Sequence, residues 1–177
     1  GQKNHKSRHM GILHSRRSTL FLLLGAGVAA GCEQPKFVDY SGPEVTRIEV
    51  HKSTRRMYLL HHDQVLKGYH IELGFAPVGH KTQEGDGRTP KGRYYIDRRN
   101  PNSAFYLSVG ISYPNAADRA QAAARGVSPG GDIFIHGTPR AFRRKHDWTA
   151  GCIAVTDREM REIYAMVGMR TVIDIFA

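Results

Sequence analysis

Cysteine is scarce in this chain. There are two in 177 residues, Cys32 and Cys152, alongside a single tryptophan. Two cysteines exclude a disulfide framework, and a chain of this length can bury a core without one. Their settings differ, so they are read separately, although a Cys32–Cys152 disulfide is the plain structural alternative. No apolar run is long enough to span a bilayer: the longest, from Leu20 to Ala30, is about a dozen residues against the roughly 20 that a helix needs. The histidines at 51, 61, 62, 70, 80 and 146 lack metal-ligand spacing, so no metal and no cofactor is expected. No Gly-Lys-Ser/Thr follows the glycine-rich stretch 85–92, which excludes a Walker phosphate loop. No internal repeat and no nucleic-acid-binding motif is present, so nucleic acid is not expected as a partner.

Acid is missing altogether from residues 1–31, which carry Lys3, Lys6, Arg8, Arg16 and Arg17. The net charge is +10, with 26 basic and 16 acidic residues, so five of that excess lie in this segment and five in the rest. Basic residues, a short apolar core and then small residues form the pattern of a signal peptide. Its end, Val28-Ala29-Ala30-Gly31-Cys32, resembles a bacterial lipobox. That resemblance implies cleavage before Cys32, a lipid anchor on Cys32 and a membrane-attached, periplasm-facing lipoprotein of the cell envelope. An ordinary signal peptide with an incidental cysteine is the alternative. Residues 1–9 are polar and precede Met10; they read as an over-long start or an expression remnant. Residues 32–44 hold Pro35, Gly42 and Pro43 without periodicity and read as the anchored cysteine and a tether.

From residue 45 to 177 the pattern is that of one domain, mainly β with two short helices. Ile48 and Val50 alternate with polar neighbours, Met57 and Leu59 follow a polar turn, and Ile71 and Leu73 end a third run. A long loop occupies residues 74–92. Further strands are expected at 94–96, 105–111, 133–135 and 172–175. One Ala-rich helix follows Asn115 and stops near Gly126. A second opens on the capping box Thr156–Glu159, turns Met160, Ile163, Tyr164 and Val167 inward, and ends at Gly168.

Residues 132–157 carry the chemistry. His136 ends the apolar strand Ile133-Phe134-Ile135, and Cys152 follows Gly151 and precedes Ile153. A strand end holds an imidazole rigidly, and a glycine before a nucleophile permits close backbone approach. A neighbouring imidazole activates a thiol by forming a thiolate–imidazolium pair, and the backbone N–H groups near Cys152 offer an oxyanion site. The residues alone leave two bland alternatives open: a structural histidine at a strand end and a small buried cysteine.

The same segment resembles the L,D-transpeptidase catalytic domain, the YkuD-like family. The resemblance runs over residues 45–177. It rests on the opening strand meander, the loop Lys81-Thr82-Gln83-Glu84-Gly85-Asp86-Gly87-Arg88-Thr89-Pro90-Lys91-Gly92, and the core His136-Gly137-Thr138 with Thr149-Ala150-Gly151-Cys152. It implies an L,D-transpeptidase-like β-sandwich and acyl transfer on peptidoglycan stem peptides, a reaction of cell-wall organisation. Cys152 would be the nucleophile, His136 the proton donor and acceptor, and the Gly137 backbone the group that orients the imidazole. Arg140, Trp148, Thr149 and Gly151 are the candidate substrate-binding residues, with Arg143 beside them. Two positions depart from the family pattern: Ala150 stands where a histidine is usual, and Ala154 where Arg or Asn is frequent. They leave open a transpeptidase, a carboxypeptidase or amidase with water as acceptor, and a non-catalytic wall-binding lipoprotein.

Overall fold

The computed structural model describes residues 34–177. The leader reading and Cys32 lie outside the described residues. Eight strands form one curled sheet: β1 (Arg47–His51), β2 (Arg56–His61), β3 (Gln64–His70), β4 (Gly92–Asn100), β5 (Ser108–Ile111), β6 (Phe134–His136), β7 (Ile153–Ala154) and β8 (Val172–Phe176). Their order is β3-β2-β1-β8-β4-β5-β6-β7. The helices are α1 (Ala116–Ala124), between β5 and β6, and α2 (Asp157–Met166), between β7 and β8.

Two features curl the sheet. Strand β4 belongs to both halves: residues 92–95 pair with β8, and after a bulge between Ile96 and Arg98 its second half pairs with β5. A bulge bends a strand and raises its twist. The chain beyond β3 then crosses to the other edge, where Glu72 and Ala154 of β7 exchange two backbone hydrogen bonds of 2.9 and 2.8 Å. Both edges of the sheet are thereby covered where they meet, and the two halves enclose one core. Ile48, Leu59, Ile71, Leu73, Ile96, Ile111, Ile135, Ile153 and Ile173 are completely buried in it. α2 packs against β5 and β6 and contributes Met160 and Ile163.

Both helices begin on reciprocal caps. Thr156 accepts from the Glu159 N–H while the Glu159 carboxylate accepts from the Thr156 N–H. Asn115 and Asp118 do the same for α1. The second box was not read from the sequence, where an aspartate stands at the position usually held by Glu or Gln.

Three expectations are corrected. The third strand is not the run ending at Ile71 and Leu73 but residues 64–70, which are mostly exposed. An edge strand keeps its place by backbone pairing and carries little apolar signal, whereas Ile71 and Leu73 are buried because the chain there is crossing to β7. The strand expected over 105–111 begins only at Ser108. Tyr106 has φ +75°, and the Leu107 N–H turns back to the Phe105 carbonyl. The second helix stops at Met166, two residues before Gly168. The segment read as a tether has no regular structure from Pro35 to Glu44. It nonetheless touches the domain: the Arg161 guanidinium donates to the Pro35 carbonyl and the Lys36 ammonium to the Pro101 carbonyl. No helix among the described residues is long and apolar enough to cross a membrane.

Candidate active site

The register of two very short strands brings the histidine and the cysteine together. β6 and β7 run parallel, with His136 opposite Ala154 and Ile135 opposite Ile153. Cys152 immediately precedes β7, opposite Phe134, whose N–H donates to the Cys152 Sγ at 3.4 Å. Side chains alternate with period two along a strand. Cys152, two residues before Ala154, therefore lies on the same face as His136. Asp132, just ahead of β6, accepts the thiol hydrogen on its backbone carbonyl at 3.4 Å.

The imidazole is fixed on several sides. His136 Nδ1 donates to the Gly137 carbonyl at 2.7 Å. A carbonyl only accepts, so Nδ1 carries the proton and Nε2 of the neutral ring is unprotonated and free to take one. Phe105 stacks on the ring, centroid to centroid 4.4 Å at 23°, and Trp148 tilts against it at 5.7 Å. Gly137 is itself held by its N–H to the Phe105 carbonyl at 2.9 Å. A Cβ at Gly137 would meet Asp157 Oδ1 at 2.3 Å, so no other residue fits there without movement. That same Asp157 oxygen accepts the Thr138 N–H at 3.0 Å, and the Thr138 hydroxyl donates to the Val155 carbonyl.

The electrostatics correct the expectation of a standing thiolate–imidazolium pair. Burial pushes the His136 imidazole below its ordinary value, against the opposing pull of the Gly137 carbonyl. Burial pushes the Cys152 thiol up; the Phe134 N–H, Lys81 and Arg98 pull it down, and Asp132 adds to the rise. Desolvation is the first cause for each group, and neither is a cause of the other's shift, so burial favours the neutral form of both. The thiol hydrogen is engaged by the Asp132 carbonyl, and no hydrogen bond joins Cys152 to His136 among the described residues.

The sequence model of the L,D-transpeptidase catalytic domain matches residues 45–175. This chain belongs to that family. The Escherichia coli (strain K12) protein named "Putative L,D-transpeptidase YafK" is 31% identical over 106 residues, which is 59% of this chain and 38% of that protein. The chain thus spans well under half the length of the curated relatives it matches. Among solved structures, the K307A mutant of the helical cell shape determining protein Pgp2 from Campylobacter jejuni superposes with a TM-score of 0.59 at 26% identity, covering 77% of this chain and 48% of that one. An L,D-transpeptidase from Mycobacterium smegmatis shares the fold, with a TM-score of 0.52 at 12% identity, over 75% of this chain and 59% of that one.

The L,D-transpeptidase domain has two depressions that reach neighbours of the pair, Asp132 in one and Trp148 in the other, while neither is lined by Cys152 or His136. Near the thiol is a polar groove of about 730 Å3, lined by Asp97, Arg98, Tyr113, Arg119, Gly130 and Asp132 among others. Beyond Trp148 is a cleft of about 560 Å3, walled by Phe142, Trp148, Ala154 and Val155 with Arg143, Lys145 and Asp157 at its margins. Trp148 stacks on Phe142 at 4.3 Å, and its Nε1 is buried without a partner.

The other candidate residues divide. Trp148 and Arg143 border the cleft, whereas Arg140, exposed on the one-turn helix Arg140–Phe142, does not. Thr149 and Gly151 act on the protein's own backbone. The buried Thr149 hydroxyl donates to the Cys152 carbonyl at 2.7 Å and accepts the Gly151 N–H at 3.1 Å, which staples the turn before the nucleophile. Gly151 has φ +134°, and what approaches it is the Arg88 carbonyl, 2.7 Å from where a Cβ would sit. Both are occupied by protein at the positions where substrate was expected. Phe105, Asp132, Thr138 and Asp157 were not found from the sequence. Phe105 lies far from His136 along the chain and reaches it only through the turn that shortens β5. Among the described residues no group of three or more His, Cys, Asp or Glu is placed to hold a metal.

Proposed function

We propose that this domain is a cell-envelope acyltransferase that acts on peptidoglycan stem peptides through a thioester on Cys152. The observation that carries the reading is the placement of Cys152 and His136 on one sheet face, with the Gly137 carbonyl leaving Nε2 as the free base. The thiol proton passes to Nε2 as sulfur bonds to the donor's carbonyl carbon. The Gly151 N–H is engaged by Thr149, and the Cys152 N–H makes no loop or side-chain hydrogen bond among the described residues, so it is the donor for the developing oxyanion. Collapse breaks the C–N bond, and the imidazolium returns its proton to the departing amine. An incoming side-chain amine of a second stem then attacks the thioester, loses its proton to His136, and expels the sulfur as a thiol. The cross-link forms and the site is restored.

Water in place of that amine gives a carboxypeptidase or an amidase. The open polar groove beside the thiol favours keeping this second reading. Arg143 and Lys145, at the margin of the aromatic cleft, suit a stem-peptide carboxylate. The anchor belongs to the same proposal: lipid on Cys32 would hold the domain at the membrane on the periplasmic side, within reach of the wall.

A stem tetrapeptide ending in D-Ala tests the core of the reading. It should release D-Ala and leave a mass adduct on Cys152 that Cys152→Ala lacks. Muropeptide dimers after addition of a stem amine mean transfer, and trimmed monomers alone mean hydrolysis. Binding without adduct or free D-Ala would sink the tetrapeptide-donor reading. For the anchor, Cys32→Ser recovered from the membrane fraction as fully as wild type would argue against lipidation.

A further inference from the structure

The segment around the nucleophile offers the thiol no cation of its own. Ala150 and Ala154 flank it with methyl groups, and His136 is driven toward neutrality. The charge nearby comes from the loop that precedes β4. Lys81 is 3% exposed, and its ammonium donates to Asp86 Oδ1 at 2.9 Å and to the Gln83 carbonyl at 3.1 Å. An ammonium has three donors, so one is left without a partner among the described residues. The Asp86 carboxylate is saturated: Lys81 and the Arg88 N–H share one oxygen, and the Thr82 and Gln83 N–H groups share the other.

This loop packs against both chain segments that place the thiol. On one side, the Glu84 N–H donates to the Ser128 carbonyl, and a Cβ on Gly130 would sit 3.1 Å from Glu84 and 3.5 Å from the Lys81 stem. Asp132, two residues on, supplies the carbonyl that takes the thiol hydrogen. On the other side, the Arg88 carbonyl abuts Gly151, the residue before the nucleophile. Lys81 and Asp86 therefore brace the nucleophile from both flanks.

We propose that Lys81 is a positioning residue for the transfer reaction, a buried cation whose field favours the sulfur anion while its ion pair with Asp86 sets the loop against Gly130 and Gly151. The inference rests on the acyl-transfer reading for its purpose, but not for its test. The charged groups acting on Cys152 are Asp132, Lys81 and Arg98. Lys81 lowers the thiol's pKa, as Arg98 does, and Asp132 raises it. Asp86 is held well below the usual carboxylate range, at about 2. Burial alone would raise it, but the Thr82, Arg88 and Gln83 N–H groups together with Lys81 outweigh burial.

The test is the rate of iodoacetamide alkylation of Cys152 from pH 6 to 10 in the purified protein, read by intact mass and needing no substrate. Lys81→Met should slow alkylation at pH 8 by about threefold to tenfold, the scale of one partly screened charge. Lys81→Arg should restore most of the loss. Asp86→Asn keeps the cation but sets an amide N–H against backbone N–H groups, so it loosens the loop and should slow alkylation through the brace. The pH profile separates field from brace: loss of the cation should move the alkylation midpoint to higher pH in Lys81→Met, whereas Asp86→Asn should lower the rate without that upward move. An unchanged rate or an unmoved midpoint in Lys81→Met overturns the proposal. If Lys81→Met does not fold, Lys81→Gln read in the same way decides. A wild-type protein inert toward stem peptides would count against acyl transfer while leaving these rates readable.

Discussion

The two halves of the sheet are built differently. β1, β2, β4 and β8 have five to nine residues each and pair in long registers, with Ile48, Leu59 and Ile173 sealed between them. β5, β6 and β7 have four, three and two residues, and the chemistry hangs from the last two. The long half is held by backbone ladders and apolar burial. The short half shares that buried core through Ile111, Ile135 and Ile153, and its turns are pinned by single side-chain bonds: the Thr149 hydroxyl donates to the Cys152 carbonyl, the Thr138 hydroxyl donates to the Val155 carbonyl, and the Asp157 carboxylate accepts the Thr138 N–H. Near the nucleophile, glycines at 74, 137 and 151 let chains approach to distances a side chain would forbid. Short strands leave Cys152 and His136 at strand ends; the long strands supply the rigid body against which those ends are positioned.

If that division of labour holds, substitutions in the two halves should separate activity from stability. The largest effect belongs to the short half: Cys152→Ala should abolish turnover and leave the melting temperature nearly unchanged. His136→Ala should follow, with a loss of at least about 10²-fold in kcat/KM, the low end for a positioned acid–base group. Full activity in that variant would assign the base elsewhere. In the long half, Ile173→Ala should cost about 2–5 kcal/mol by denaturant unfolding, as a cavity in a sealed core does, while the folded fraction keeps its alkylation rate. Equal loss of rate per folded molecule would mean that the halves are not separable. Gly137→Ala crosses the divide. Its Cβ collides with Asp157 Oδ1 and the Phe105 carbonyl, so it should lower stability by about 1–3 kcal/mol and activity with it. Normal activity there would show that the imidazole does not need this turn.

The smallest effect is a matter of pH. His136 must be neutral to act as base, and burial holds its pKa below the ordinary histidine value. Protonation therefore sets in only below that value, and the acid limb of kcat/KM should lie under about pH 6.5. A limb at or above pH 6.5 would point to a charged imidazole in the free enzyme and revive the thiolate–imidazolium pair.

His136 and Cys152 stood out as candidates because residues 132–157 place them at the ends of two apolar runs in one stretch of chain. α2 was legible because its capping box and its 3.6-residue apolar period agree. β3 was misplaced because its apolar residues, Val65, Leu66 and Tyr69, do not alternate with period two, and only Tyr69 is buried. Phe105, Lys81 and Asp157 went unread as parts of the site for a common reason. Each acts across a fold contact, by stacking, by its field or by a hydrogen bond to a turn, and nothing local distinguishes such a residue from any other.

The amino-acid order by itself thus determined the elements that local periodicity and capping encode, and the pair of reactive side chains that a single strand–loop–strand segment carries. The tertiary structure alone decided that the sheet curls until Glu72 meets Ala154, that the loop with Lys81 and Asp86 braces the nucleophile, and that thiol and imidazole are both buried toward neutrality. Those outcomes depend on desolvation and on contacts between distant segments, quantities that come into existence only once the chain has closed on itself.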